Sequence, residues 1–198
     1  DNTERLLGLL EEGKLDFVFV EGIFDKQRYD SYLLRMEPFT GICAAGHSFA
    51  GKNISLEQLF GETLILREQG SGTRDIFERE LRQLNYTTKA FSRTIYISSF
   101  KLIRDLVSGG AGISFAYRAV SEEDNRLEEF ACPPLTGAHE LNVVYLKNTK
   151  AGEYARDFMG CQAYDDLLKC MGKTTIHPTK SEAQTDDTYT DEVRHHGV

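Results

Sequence analysis

Apolar residues at helical spacing open the chain. Four leucines between positions 6 and 10 stand behind three residues that favour helix N-caps, and Gly13 is suited to end the helix. Residues 15–20 then form an apolar, partly β-branched run of strand length. A helix that leads into a nearly continuous apolar strand is typical of a parallel sheet covered on both faces.

Strand patterns and helix patterns alternate along most of the remaining chain. Strands are predicted at 40–45, 63–66, 94–97, 113–116 and 141–146, and helices at 56–60, after Thr73, after Ser99 and in a C-terminal region around 154–171. This alternation indicates the α/β class. From Lys173 the pattern stops, and we expect residues 173–198 to be a disordered polar tail.

Composition narrows the class of protein. The 198 residues, 40% hydrophobic and 27% charged, suit one compact domain or two small ones. With 23 basic and 31 acidic residues the formal charge is −8, so the chain is not expected to grip nucleic acid by itself. We see no membrane span and no signal peptide, which favours a cytoplasmic location, although a chain that begins at Asp1 can be a fragment.

The cysteines and histidines give no sign of a metal or cofactor site. Cys43, Cys132, Cys161 and Cys170 are widely and irregularly spaced, so buried reduced thiols are expected; a Cys161–Cys170 disulfide or a reactive thiol is the alternative. The paired histidines at 195 and 196 lie in the polar tail, where a solvated tail is favoured over a metal site. No cofactor and no metal are expected.

The most informative stretch is residues 64–74, where a strand leads through Gly-Ser-Gly-Thr into a helix. The first N–H groups of a helix lack partners within it and favour an anion. Gly72 lets backbone approach a ligand, while Ser71 and Thr73 add hydroxyl groups. The sequence therefore predicts a site for a carboxylate, sulfate or phosphate, with simple capping of the helix by Ser71 or Thr73 as the alternative.

A second strand runs into a hydroxyl pair, Ser98 and Ser99, at the start of another helix. Two such loops suggest a shared polar cleft at the carboxyl ends of parallel strands, where α/β proteins bind ligands. Arg67 and Glu68 are adjacent and are expected to point to opposite faces of their strand. Two roles are compatible with Arg67 in this position: an ion pair at a hinge or rim, or a ligand contact.

Enzyme motifs are absent. The glycine loop ends in Asp75 where the dinucleotide fingerprint needs a glycine, and no Walker loop follows a glycine turn. No Gly-x-Ser-x-Gly elbow surrounds Ser71 or Ser114. The pattern predicts no enzyme and no catalytic residue.

Four segments in the right order resemble the effector-binding domain of LysR-type transcriptional regulators. The four segments are the helix and strand of residues 1–22, the Gly-His-Ser-Phe-Ala-Gly turn of 46–51, the Ile-Leu-Arg-Glu and Gly-Ser-Gly-Thr-Arg sequences of 65–74, and Ser-rich residues 98–107 followed by Gly-Ala-Gly-Ile-Ser. The second segment departs from the family's His-Pro-Leu-Ala turn, because Ser48 and Phe49 replace proline and leucine. The resemblance covers residues 1–172.

The resemblance implies a fold similar to type 2 periplasmic binding proteins, with two Rossmann-like subdomains joined by two crossover strands. Subdomain I is then residues 1–66 plus 139–172, subdomain II is 67–138, and the crossovers lie near 66–68 and 139–141. The implied effector contacts are Ser71, Gly72 and Thr73 in the first loop, Ser98, Ser99 and Phe100 in the second, and Arg67 and Glu21 at the rim.

The family's full chain also carries a winged helix-turn-helix, a linker helix, and a first strand–helix–strand unit of the effector domain. The resemblance places all of these before Asp1, so that the present sequence corresponds to an N-terminally truncated domain. It implies a small anionic effector, DNA contact only through the N-terminal domain, a homodimer or tetramer of the whole protein, and no membrane contact. The alternatives are a periplasmic solute-binding protein of a transporter and, more weakly, a dehydratase with a Thr-Arg-Phe motif, which Asp75 after Thr73-Arg74 disfavours.

Overall fold

A computed structural model of the protein describes residues 2–122 and 124–160. Helix α1 (Thr3–Glu11) begins as predicted, with the Asn2 side chain accepting a hydrogen bond from the Arg5 backbone N–H. Strand β1 spans Phe17–Glu21. The predicted tail, Cys161, Cys170, the C-terminal histidines and the end of the predicted C-terminal helical region lie outside the described residues.

The other elements follow in chain order, with short 3₁₀ turns at Thr88–Ala90 and Arg118–Val120. They are β2 (Tyr29–Ala44), α2 (Leu56–Phe60), β3 (Thr63–Arg67), α3 (Gly72–Gln83), β4 (Arg93–Ile97), α4 (Phe100–Ser108), β5 (Ile113–Tyr117), β6 (Leu127–Phe130), β7 (Gly137–Leu146) and α5 (Ala151–Met159). Most predicted elements are therefore confirmed. The first eleven residues of β2 and all of β6 were missed.

The strands form one seven-stranded sheet in the order β1-β7-β2-β5-β3-β4, with β6 paired to the far end of β2. Strand β3 is parallel to both β4 and β5, as the alternating pattern predicts. The described partner of β1 is β7, and the two strands are antiparallel. The prediction that β1 joins a parallel sheet was therefore wrong for this pair. Its apolar run reflects burial by α1 and contacts with Phe158 of α5 instead.

Strand β2 joins two parts of the sheet. Residues 29–39 pair with β7, residues 39–42 pair with β5 and residues 41–44 with β6. We call β1, β7 and residues 29–38 of β2 the antiparallel part, and β3, β4, β5, β6 and residues 39–44 of β2 the mixed part. The junction lies at Phe39, which pairs with both Tyr117 and Gly137.

The strand pairing can be compared with the predicted crossovers. The expected position near 66–68 divides β3 from α3, yet β3 is hydrogen-bonded to β4 and β5, which were assigned to the other subdomain. The chain changes its strand partners at Phe39 instead, because β2 is long enough to serve both parts. The other predicted crossover, at 139–141, lies within β7.

Three buried clusters hold the elements together. The largest lies on one face of the mixed part under α3 and includes Phe39, Leu64, Leu66, Ile76, Phe77, Leu81 and Phe115. On the opposite face α4 packs through Ile103 and Val107 onto Ile42 and Ile65. The antiparallel part has a smaller cluster, in which Leu10 of α1 covers Val18, Val20 and Val144. Leu64 and Leu66 face away from Ile65, as strand alternation requires.

Two further observations bear on the sequence predictions. In the described part of the chain, no helix is long and apolar enough to cross a membrane. Cys43 and Cys132 are buried free thiols, and burial raises the pKa of each to about 11. These two cysteines are therefore inert as nucleophiles near neutral pH.

Candidate functional site

The loop after β3 has the local structure that the sequence predicts. Gly70 adopts a φ of 81°, and α3 then begins at Gly72. Ser71 and Thr73 are buried, with exposed fractions of 2% and 1%. Ser71 holds the N-cap position, but its side chain accepts no hydrogen bond from the first turn of α3. Ser71 therefore does not cap the helix, which was the alternative to a ligand site. The buried N-terminus of α3 has no hydrogen bond from the side chain at its N-cap position.

Glu21 meets this helix start from the end of β1. The Thr73 hydroxyl donates a hydrogen bond of 2.8 Å to Glu21 Oε2, across 52 positions of sequence. Burial raises the pKa of the Glu21 carboxyl, although the Thr73 hydrogen bond and the charge of Arg67 oppose the shift. Glu21, expected at the rim, lies directly beside the predicted loop.

The backbones of the two elements are also in close contact. A Cβ placed on Gly72 would stand 1.9 Å from the carbonyl oxygen of Glu21, so only glycine fits there. The Thr3 hydroxyl donates a 3.3 Å hydrogen bond to the same carbonyl oxygen. Gly72 is thus required for the antiparallel part to approach α3.

Helix α1 covers the outer side of the loop. The Glu4 backbone N–H donates to the Gly70 carbonyl oxygen at 3.0 Å. The Asn2 side-chain amide donates to Glu68 Oε1 at 3.2 Å. Three elements, α1, β1 and α3, therefore converge at the loop, so a ligand bound there contacts both parts of the molecule.

The second predicted loop lies beside the first, because Arg67 and Ile97 are paired at the ends of the parallel strands β3 and β4. Ser98 and Ser99 are exposed, and Ser99 caps α4 by accepting a 3.5 Å hydrogen bond from the Leu102 N–H. The guanidinium carbon of Arg67 stands 4.2 Å from the centre of the Phe100 ring. The structure thus brings Arg67 and Phe100 together, while Ser98 and Ser99 face solvent.

Arg67 also forms an ion pair with its neighbour Glu68. Its Nε and Nη2 atoms lie 2.9 Å and 3.1 Å from the two carboxylate oxygens of Glu68. Burial acts in the opposite direction, but the hydrogen bonds with Arg67 lower the pKa of Glu68 overall. The prediction that the two side chains point to opposite faces was wrong, because β3 ends at Arg67 and strand alternation ends with it.

Three residues at the junction were not identified from the sequence. Glu37 of β2 is buried with 4% exposure, and Arg35 Nε stands 2.8 Å from Glu37 Oε2. The Tyr117 hydroxyl is buried and has no hydrogen-bond partner among the described residues. Burial, and then the charges of Glu21 and Glu37, raise the pKa of Tyr117. The spacing of Arg35 and Glu37 on one strand face was an available signal, but no strand was predicted there.

A pocket of about 440 Å³ lies elsewhere, near the end of β5 and β6. Its lining includes Glu122, Asp124 and Glu129. Arg126 lowers the pKa of the Asp124 carboxyl. A pocket lined by three acids disfavours an anionic ligand, so the loop of residues 71–73 is the better candidate.

Comparison with known proteins agrees with this geometry. The family model for the LysR substrate binding domain matches residues 1–162. The regulator CbbR of Rhodospirillum rubrum is 31% identical over 117 residues, covering 59% of this chain and 38% of that protein. The regulator CfxR of Cupriavidus necator is 30% identical over 164 residues, covering 82% of this chain and 51% of its own length. The chain therefore spans about half or less of these two relatives.

Solved structures share the fold at lower identity. The regulatory domain of Synechocystis CcmR, solved in complex with 2-PG, gives a TM-score of 0.69 at 20% identity and covers 80% of this chain and 79% of that one. The effector-binding domain of QuiR, solved with shikimate, gives 0.67 at 18% identity, with coverages of 80% and 76%.

The predicted fold class is confirmed: the chain has the α/β fold that resembles type 2 periplasmic binding proteins. Its matched curated relatives are transcriptional regulators rather than enzymes. On the match over residues 1–162, the chain belongs to the LysR substrate-binding domain family.

Proposed function

We propose that the chain is the ligand-sensing domain of a LysR-type regulator and binds a small anionic metabolite at the loop of residues 71–73. The observation that carries this proposal is the buried start of α3, which Ser71 leaves uncapped and which the end of β1 contacts. Such a helix start favours an anion through its free N–H groups and partial positive charge.

The site draws on both predicted loops. Ser71 supplies a hydroxyl that does not cap the helix, and the first turn of α3 supplies backbone N–H groups without partners inside the helix. Thr73 and Gly72 hold the loop in place, because the Thr73 hydroxyl donates to Glu21 and the Gly72 backbone packs against the Glu21 carbonyl oxygen. Arg67 and Phe100, already in contact, form the adjoining wall, while Ser98 and Ser99 complete it from the solvent side. Glu21 lies opposite, hydrogen-bonded to Thr73, and restricts which acids can enter.

The subdomain division is part of the same proposal. We place the first crossover at Phe39, where β2 changes partners, and the second near 139–141 in β7. A ligand at residues 71–73 then contacts both subdomains, so it favours the arrangement in which both contacts are made. In the full-length protein, a cytoplasmic homodimer or tetramer, that preference is coupled to DNA binding by a winged helix-turn-helix.

The printed descriptions of two structural neighbours support the ligand class. CcmR was solved with 2-PG and QuiR with shikimate, and both ligands are small acids. These ligands are bound by those two proteins. They indicate that this fold accommodates small acids, and they provide two probes for this chain.

A thermal-shift screen tests the proposal, since a ligand that binds only the folded state stabilises it by an amount that grows with the ratio of ligand concentration to dissociation constant. We expect sulfate, 2-PG, shikimate or a related small acid to raise the melting temperature. The rise should shrink in Ser71→Ala, because the Ser71 hydroxyl does not cap α3 and is available to the ligand. It should persist in the control Ser48→Ala, because Ser48 is exposed in the 46–51 turn. Failure of every small anion to stabilise the chain, or an equal response in both variants, would overturn the proposal.

A further inference from the structure

Tyr117 occupies a central position at the proposed site. It is the last residue of β5, which runs parallel to β3, so it lies at the same sheet edge as Arg67. It is also paired with Phe39, the residue at which β2 changes partners. Tyr117 therefore stands where the antiparallel part, the mixed part and the carboxyl ends of the parallel strands meet.

The Tyr117 hydroxyl has an unmet hydrogen-bonding need. The residue is only 4% exposed, and its hydroxyl oxygen has no hydrogen-bond partner within the described part of the chain. Buried polar groups are nearly always hydrogen-bonded, and leaving one unpaired destabilises the fold. The carboxyl group of Glu21 acts electrostatically on this hydroxyl and is itself hydrogen-bonded to Thr73, so the unpaired hydroxyl lies near the candidate loop and is available to a ligand atom.

The charges around Tyr117 restrict what that ligand atom can be. The carboxyl groups of Glu21 and Glu37 act on the hydroxyl, and both disfavour the phenolate. The nearby cation, Arg79, is already paired with Glu80 at 3.1 Å. Glu37 is already paired with Arg35, but an anionic group against Tyr117 would still face Glu21 without partners of its own. The free N–H groups at the start of α3 offer the acid group of the ligand such partners at residues 71–73.

A ligand hydroxyl fits the position next to Tyr117. A hydroxyl can accept a hydrogen bond from the phenol and donate one to a carboxylate. An ammonium group cannot accept, and an ether oxygen cannot donate. Glu21, held at 2.8 Å from Thr73, is the carboxylate that links this position to the anion loop.

We propose that Tyr117 is a specificity-determining residue and that the effector is a hydroxy acid, with its acid group at residues 71–73 and its hydroxyl hydrogen-bonded to Tyr117. This inference rests on the proposed function and adds the chemical class of the ligand.

Matched ligand pairs test the inference. Malate against succinate, and shikimate against 1-cyclohexene-1-carboxylate, differ by their hydroxyls and are titrated by calorimetry into the 198-residue chain. We expect the hydroxylated member of at least one pair to bind about tenfold more tightly, as one net buried hydrogen bond provides. Tyr117→Phe should remove that preference and leave the affinity for the deoxy acid unchanged. The control is Tyr154→Phe, since Tyr154 is 50% exposed on α5.

The possible outcomes are distinct. Absence of a hydroxyl preference, or a preference that survives in Tyr117→Phe, overturns the inference while the proposed anion site stands. If no acid binds, both proposals fail. A second readout needs no ligand: Tyr117→Phe should melt at the same or a higher temperature than the wild type, because its hydroxyl has no partner to lose. A clear decrease would show an internal partner and would also refute the inference.

Discussion

The mixed part of the sheet has a buried cluster on each face, whereas the antiparallel part has one smaller buried cluster. Among the described residues, the cluster under α3 contains 17 buried residues, and the cluster on the opposite face, which includes Ile103 and Val107 of α4, contains a further five. The cluster of the antiparallel part contains six, and β1 lies at the end of the described sheet. The candidate site lies where these two parts meet, so the antiparallel part can adjust to a ligand without opening the main core.

The largest expected difference comes from matched leucine deletions. Leu64 and Leu10 are both fully buried, but Leu64 lies in a strand between two neighbours and Leu10 on a helix beside partly exposed leucines. We expect Leu64→Ala to lower the free energy of unfolding by about 4–5 kcal/mol and Leu10→Ala by about 2–3 kcal/mol. Urea denaturation measures both, and equal losses would contradict the unequal packing described above.

Gly72→Ala tests the contact between the parts. The added Cβ would stand 1.9 Å from the Glu21 carbonyl oxygen, so β1 and α3 must separate. We expect a loss of about 1–3 kcal/mol in the free energy of unfolding and weaker anion binding. Gly8→Ala is the control, because no atom lies within 4 Å of its added Cβ. It should stabilise α1 by about 0.5–1 kcal/mol. A neutral Gly72→Ala would show that the contact is not required.

Thr73→Val removes one hydrogen bond across the same boundary and preserves shape. The Glu21 carboxylate loses the donor at 2.8 Å, and we expect a loss of about 1–2 kcal/mol. A double-mutant cycle with Glu21→Ala, which removes the acceptor, isolates the pair. The two changes should be clearly non-additive, and simple additivity would mean that Glu21 and Thr73 do not interact in solution.

The smallest effect is a pH dependence with opposite signs at two carboxyl groups. Burial raises the pKa of Glu21 above 4.5, so its contribution to stability is present below about pH 4.5 and is lost as the pH rises through the folded-state pKa. Hydrogen bonds from Arg126 lower the pKa of Asp124 in the mixed part, so its contribution is present at neutral pH and lost on acidification.

Melting curves of two amide variants check these signs. Relative to the wild type, Glu21→Gln should gain stability as the pH rises from about 4.5 towards 7. Asp124→Asn should be less stable near pH 7, and the deficit should shrink as the solution is acidified. Parallel pH profiles for the two variants would contradict the environments described for both groups.

The sequence was sufficient to predict the elements whose local pattern determines them. The helices predicted at 56–60, before Leu84 and after Ser99 are present: Ser55 caps α2, Ser99 caps α4, and Ile76, Phe77 and Leu81 are buried on α3. The first part of β2 was missed because charged residues and Pro38 interrupt its alternation, and its register shifts between Leu33 and Arg35. Its strand character depends on β7, which lies about a hundred residues away in sequence.

The candidate site was predictable only in part. The loop of residues 71–73 has a local pattern, whereas the hydrogen bond between Glu21 and Thr73 depends on the tertiary fold. The same holds for Tyr117, because an aromatic residue that ends a buried strand is indistinguishable in sequence from an ordinary core residue. Only the fold shows that its hydroxyl is buried without a partner among the described residues.

The central claim is that a small acid binds at the start of α3, between the two parts of the sheet. The most direct measurement is an NMR titration of the ¹⁵N-labelled chain with the acid that the thermal-shift screen selects. We predict that the largest, saturable amide shifts occur at residues 71–74 and at Glu21, with smaller ones at residues 98–100. Shifts confined to other surfaces, such as the acidic pocket around Asp124, would contradict it.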